Sequence, residues 1–227
     1  MAGQAGYYID IVMCIDATGD MRPIIEDLKK NARSLGQIFY SAIEDEYMKE
    51  VAQLRVKVIT FRDYGCDDEP MTESQFFTLP DQNEAFSAFV SRLEAKCGGD
   101  EPENALEAIA LALKSDWTTD GIKRRHIIVV LSDAPAHPLG KRADSPNYPE
   151  NIPNNIAELS NWWEGTDQSF EGTYQPKAGR LIAFVPNEKP WTDLEEWARY
   201  CPTYVSAGTG LFDVDIQCIV DVIVGWI

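Results

Sequence analysis

Apolar runs alternating with amphipathic stretches predict a doubly wound α/β domain, a mostly parallel sheet with helices on both faces. Three observations carry that prediction. The run Ile9 to Ile15 is almost continuously apolar, as a strand buried on both faces must be. His126 to Leu131 repeats the pattern. Between these runs, apolar residues recur at helical spacing.

The elements follow in order. Tyr7 to Ile15 is strand one, and Met21 to Met48 reads as one long helix with a single apolar face. Leu54 to Phe61 is strand two, and Ser74 to Leu79 returns tightly enough to pair antiparallel with it. Ala85 to Leu93 marks a helix, and Pro102 suits the first turn of another carrying Leu106, Ile109, Ala110 and Leu113. His126 to Leu131 and Leu181 to Val185 are strands four and five. Trp191 to Tyr200 reads as a helix, Thr203 to Val205 as the last strand, and Asp213 to Ile227 as a closing helix. The expected sheet has six strands in the order 3-2-1-4-5-6, with one antiparallel edge strand. Residues 1–227 form one domain, with no repeat or linker. Residues 135–178 form a long decorated loop with one short helix, and a loop that long carries function or an interface. Six of the 13 prolines lie there.

The charge sum is 20 Lys+Arg against 37 Asp+Glu, or −17. Such a field repels phosphate, which disfavours nucleic acid and anionic membranes. Many of these acids need be no more than solubility charge. The five cysteines lack any C-x-x-C spacing, so no zinc knuckle is expected. Cys14 and Cys218 read as core residues, and His126 as a surface residue. No basic-then-apolar leader and no membrane-length apolar run is visible, so a reduced, cytoplasmic protein is the expectation.

The chemistry concentrates after strand one. Asp16, Thr18 and Asp20 fall on the turn at the strand's carboxyl end, where open α/β sheets bind ligands. Three oxygen side chains at alternate positions suit a hard cation. The plainer alternative is that Asp20 caps the next helix and Asp16 bonds loop amides. Asp100/Glu101 and Ser132/Asp133 are two further acidic loops beside apolar elements. His137 follows the second of these and could approach the same face. Trp162 and Trp163 read as cover for the long loop.

In order, these motifs resemble the von Willebrand factor A-type (vWA) domain and its metal-ion-dependent adhesion site (MIDAS). Asp16-x-Thr18-x-Asp20 matches the family's Asp-x-Ser-x-Ser, Glu101 falls where a Thr is usual, and Asp133 matches the Asp after strand four. Phe61-Arg62-Asp63-Tyr64-Gly65 resembles a turn seen in intracellular and bacterial members. The resemblance implies a Rossmann-like vWA fold and a non-catalytic, metal-dependent module docking a protein partner. Its metal ligands would be Asp16, Thr18, Asp20, Glu101 and Asp133, and its cofactor Mg²⁺ or Ca²⁺. Asp20 and Glu101 depart from the usual hydroxyls. Either both join the ion, making it less eager for a partner carboxylate, or Glu101 caps its helix. One alternative is a phosphoryl-transfer enzyme, since Asp16-Ala17-Thr18-Gly19-Asp20 resembles the haloacid-dehalogenase nucleophile loop. Another is a scaffold whose metal site is vestigial.

Overall fold

The computed structural model describes residues 6–47, 50–96 and 102–227. Its centre is β1 (Tyr7–Asp16), paired in parallel with β2 (Val51–Phe61) on one side and β5 (Lys123–Leu131) on the other. β6 (Gly179–Pro186) and β7 (Tyr200–Val205) extend the parallel sheet beyond β5. At the opposite edge, β3 (Met71–Glu73) and β4 (Phe77–Leu79) both pair antiparallel with β2. The order is β3-β2-β1-β5-β6-β7, with β4 also on β2. The sheet thus has seven strands and not six: of the predicted third strand, Ser74 to Leu79, only Phe77–Leu79 is strand, and an unpredicted β3 precedes it. Ser74 divides β3 from β4, because its Oγ accepts the Val58 N–H at 2.9 Å in place of a ladder carbonyl.

Side-chain alternation on β1 builds two cores. Ile9, Ile11, Met13 and Ile15 pack with α1 (Arg22–Asn31), α2 (Leu35–Tyr47), α3 (Asn83–Val90) and α6 (Ile216–Gly225). Val12 and Cys14 pack with α4 (Ala105–Leu113) and α5 (Ile156–Glu164). Asp10 and Asp16 occupy the two ends of this second row, where polar partners are within reach.

The expected long first helix is broken. The Asn31 amide donates to the Asp27 carbonyl at 2.9 Å, and the Ser34 hydroxyl to the Asn31 carbonyl at 3.2 Å, so side chains replace the ladder there. Gly36 lies just beyond the break and serves a close approach: a Cβ there would sit 3.0 Å from Leu79 Cβ. The helix expected over Trp191 to Tyr200 is only a 3₁₀ stretch, Trp191–Glu196. The extended backbone of Trp197 (φ −74°, ψ 133°) ends it, and Tyr200 opens β7.

Two burial expectations are overturned. Cys218 is exposed on the outer face of α6. His126 is fully buried, because strand alternation turns it inward against Trp117, with ring centroids 4.9 Å apart.

The crossover from β5 to β6 is a tethered layer rather than a free loop. It is held at Asp63 by Arg142, at Glu107 by Tyr148, at the Ser115 carbonyl by Thr173, and at His126 by the Gln175 N–H. It runs from the carboxyl edge of the sheet to the amino edge. Beneath it every residue of α4 except Leu111 is buried, and this is why α4 is apolar nearly all round. Trp163 is fully buried under this layer and stacks 5.5 Å from Tyr174, as the cover reading expected. No helix among the described residues is long and apolar enough to cross a membrane.

Candidate cation site at the carboxyl edge

Asp16 closes β1 and is fully buried. Its Oδ1 accepts both the Thr18 N–H, at 2.9 Å, and the Thr18 hydroxyl, at 2.7 Å. Its Oδ2 accepts the Ser132 hydroxyl, at 2.8 Å, from the end of the neighbouring β5. Burial pushes the Asp16 carboxyl up to about 6; the three hydrogen bonds oppose this, and nearby Asp133 adds to it. Asp133 is buried too, and its Oδ2 accepts the Gly210 N–H at 2.6 Å while its carbonyl accepts the Gly208 N–H at 3.0 Å.

Asp16, Thr18, Ser132 and Asp133 therefore meet at the carboxyl end of β1 and β5. Asp20 lies on the single 3₁₀ turn Gly19–Met21 and is exposed. It caps no helix, since the N-cap of α1 is Met21 and no side-chain cap bond forms there. Glu101 lies outside the described residues. Among the described residues no three His, Cys, Asp or Glu side chains are gathered closely enough to hold a metal by themselves. The donors that do meet are carboxylate and hydroxyl oxygens, which fit a hard divalent cation and not a thiol- or imidazole-seeking one. The Thr18 and Ser132 hydroxyls spend their protons on Asp16, which leaves their lone pairs as acceptors for a cation. Ser132 is visible in sequence only as the hydroxyl before Asp133; its role in orienting Asp16 requires the β1–β5 pairing.

A second polar cluster lies on the α4 face of the same edge. Asp63, fully buried after β2, accepts Arg142 Nε at 2.8 Å and Arg142 Nη2 at 2.5 Å, and its Oδ1 accepts the Gly65 N–H at 2.7 Å. His137 turns here, 3.4 Å from Asp63, and not toward Asp16. Burial holds His137 below its ordinary pKa, against the pull of Asp63. Tyr148 donates to Glu107 at 2.8 Å, while burial holds that carboxyl above its ordinary range. Beside this cluster Leu106, Ala136, Leu139, Ile156 and Pro190 line a cavity of about 370 Å³.

Comparison with known proteins bears on the fold and the family. The chain is 23% identical over 153 residues to the alpha-protein kinase vwkA of Dictyostelium discoideum, a match covering 67% of this chain and 23% of the kinase. It is 26% identical over 163 residues to a putative ariadne-like RING finger protein, R811, of Acanthamoeba polyphaga mimivirus, covering 72% of this chain and 14% of that protein. The chain thus spans less than a quarter of the length of these curated relatives. Among solved structures, the SpaC pilus adhesin of Lactobacillus rhamnosus GG superposes with a TM-score of 0.57 at 10% identity, covering 98% of this chain and 31% of SpaC. Proximal thread matrix protein 1 of the mussel byssus gives a TM-score of 0.51 at 10% identity, over 98% of this chain and 48% of that protein. These two likenesses concern the fold. The von Willebrand factor A domain profile matches residues 10–142, more than half of the sequence, and the chain belongs to that family.

Proposed function

We propose that the chain is a non-catalytic protein-binding module that engages its partner through a divalent cation, Mg²⁺ before Ca²⁺. Asp16, Thr18, Asp20, Glu101 and Asp133 hold the ion, and Ser132 orients Asp16. One observation carries this reading: a carboxylate is kept fully buried, with its pKa raised, at the edge where this fold binds ligands. A bound cation would supply the missing positive charge there and an electrophilic point for a partner's oxygen atom. The apolar cavity beside Leu139 and Pro190 offers that partner a seat for a side chain. The kinase and RING finger names of the relatives describe proteins far longer than this chain. As a phosphoryl-transfer nucleophile Asp16 is poorly placed, since both its oxygens accept hydrogen bonds and neither is exposed.

Thermal melting with EDTA and with excess Mg²⁺ or Ca²⁺ tests the reading. The expected result is a metal-dependent rise in melting temperature, approaching about 2.7 kcal/mol of added stability at a hundredfold excess over Kd. Asp16→Asn should abolish that rise. No shift in the wild-type protein, with no heat of binding at millimolar ion, would establish the scaffold reading instead.

A further inference from the structure

The amino edge of the sheet, at the far end from Asp16, carries the opposite charge. Lys123, Arg124 and Arg125 open β5, and Lys177 and Arg180 flank the start of β6. Strand alternation turns Arg124 to the other face, where it donates to the Thr119 and Gly121 carbonyls, and leaves Lys123 and Arg125 together. Arg180 pairs with Ile127 in the ladder, so it shares a face with Arg125, two residues before Ile127. Arg125 Nε donates to the Ile227 carbonyl at 2.8 Å, and Arg180 Nε to the Trp226 carbonyl at 3.2 Å. Lys123 and Arg125 both lie over the Tyr7 ring, 5.3 and 5.1 Å from its centroid. Among the described residues none of the five forms a salt bridge. Burial, and then the guanidiniums of Arg125 and Arg199, hold Arg180 below its ordinary pKa, a sign of crowded like charge. Ile122 (76% exposed) and Trp226 (36% exposed) rim the patch.

Capping the carboxyl end of α6 explains Arg125 and Arg180. It does not explain Lys123, Lys177 or the exposed Ile122. In a chain of net charge −17, Lys123, Arg125, Lys177 and Arg180, none of them in a salt bridge among the described residues and rimmed by large apolar side chains, make a basic surface of complementary sign to an acidic partner. We infer that this amino edge docks a short acidic protein segment bearing large apolar side chains. At physiological salt, charges more than about 8 Å away are largely screened, so a short segment meets only the patch. An extended polyanion or a bilayer would reach past it onto acidic surface, and phosphates offer nothing to Ile122 or Trp226.

The test uses fluorescein-labelled peptides in EDTA, so that the cation site plays no part. A peptide of alternating Glu and Leu should bind, with affinity falling as salt rises, and one of alternating Lys and Leu should not. Combining Lys123→Glu with Lys177→Glu, both at exposed positions, should weaken binding at least about tenfold while leaving the melting curve unchanged. Ile122→Ser should weaken it several-fold. Failure of the Glu–Leu peptide to bind, or unchanged affinity in the double variant, would overturn the inference. Binding of phosphatidylserine vesicles or oligothymidine as tight as that of the peptide would overturn it as well.

Discussion

Arg142 grips Asp63 across 79 positions of chain, two guanidinium nitrogens meeting two carboxylate oxygens at 2.8 and 2.5 Å. The pair clamps the crossover onto the turn after β2. Asp63 is fully buried, whereas the Arg142 side chain is 23% exposed. Removing the arginine strips a buried carboxylate of its strongest counter-charge, which costs about 3–5 kcal/mol for wholly buried pairs and less here. Arg142→Met should lose about 2–3 kcal/mol in urea unfolding, and adding Asp63→Asn should recover most of it. A loss below about 0.5 kcal/mol would show that the clamp is ornamental.

Gly208 and Gly210 both have left-handed backbones, with φ of 66° and 65°. Their surroundings differ. A Cβ at Gly210 would lie 1.9 Å from the Asp20 carbonyl oxygen, whereas one at Gly208 meets nothing within 4 Å. Gly208→Ala should therefore cost only the conformational penalty, about 1 kcal/mol. Gly210→Ala should cost distinctly more and displace the loop from Asp133, visible as a shift of the Asp133 carboxyl signal in NMR. Equal costs would contradict this geometry.

Two buried groups give stability opposite dependences on pH. His126 donates through Nε2 to the Thr118 carbonyl and accepts the Gln175 N–H at Nδ1, so the fold needs it neutral. Burial lowers its pKa from 6.5 to about 4. Between those values the unfolded chain binds the extra proton, so this contribution is whole above pH 6.5 and is lost toward pH 4. It amounts to something on the order of 3 kcal/mol. His126→Gln keeps a donor and an acceptor and should flatten the slope.

Asp16 runs the other way. Its pKa rises from 3.8 to about 6 on folding, so without metal its ionisation costs stability as pH climbs through that window. In EDTA at neutral pH, Asp16→Asn should be at least as stable as the wild type. A clearly less stable variant would mean that the hydrogen bonds from Thr18 and Ser132 outweigh desolvation.

The parallel core was legible because β1 and β5 are buried on both faces and so advertise themselves as apolar runs. The place of Asp16 at the ligand edge followed from where the first run stops. Interactions between distant positions were not legible. Nothing near Asp63 announces Arg142, and nothing near Asp16 announces Ser132 as its partner. His126 was misjudged because two arginines precede it; they lie half-buried at the strand's mouth, where their guanidiniums reach backbone carbonyls, whereas His126 is the first fully buried residue of β5. The first helix was overextended because the apolar period continues across Asn31 to Ser34 although the hydrogen-bond ladder does not. The loop at Cys97 to Glu101 carries one of the expected ligands and lies outside the described residues.

The crossover that covers α4 also fixes how water can reach that helix. With the sheet below and the tethered segment above, every residue of α4 except Leu111 is buried in the native state. Exchange of its amides with deuterium requires either global unfolding or the detachment of the whole covering layer as one cooperative unit. The protection of α4 is therefore a gauge of how firmly that layer is fastened. Arg142→Met should be felt there, in amide protons that Arg142 does not touch.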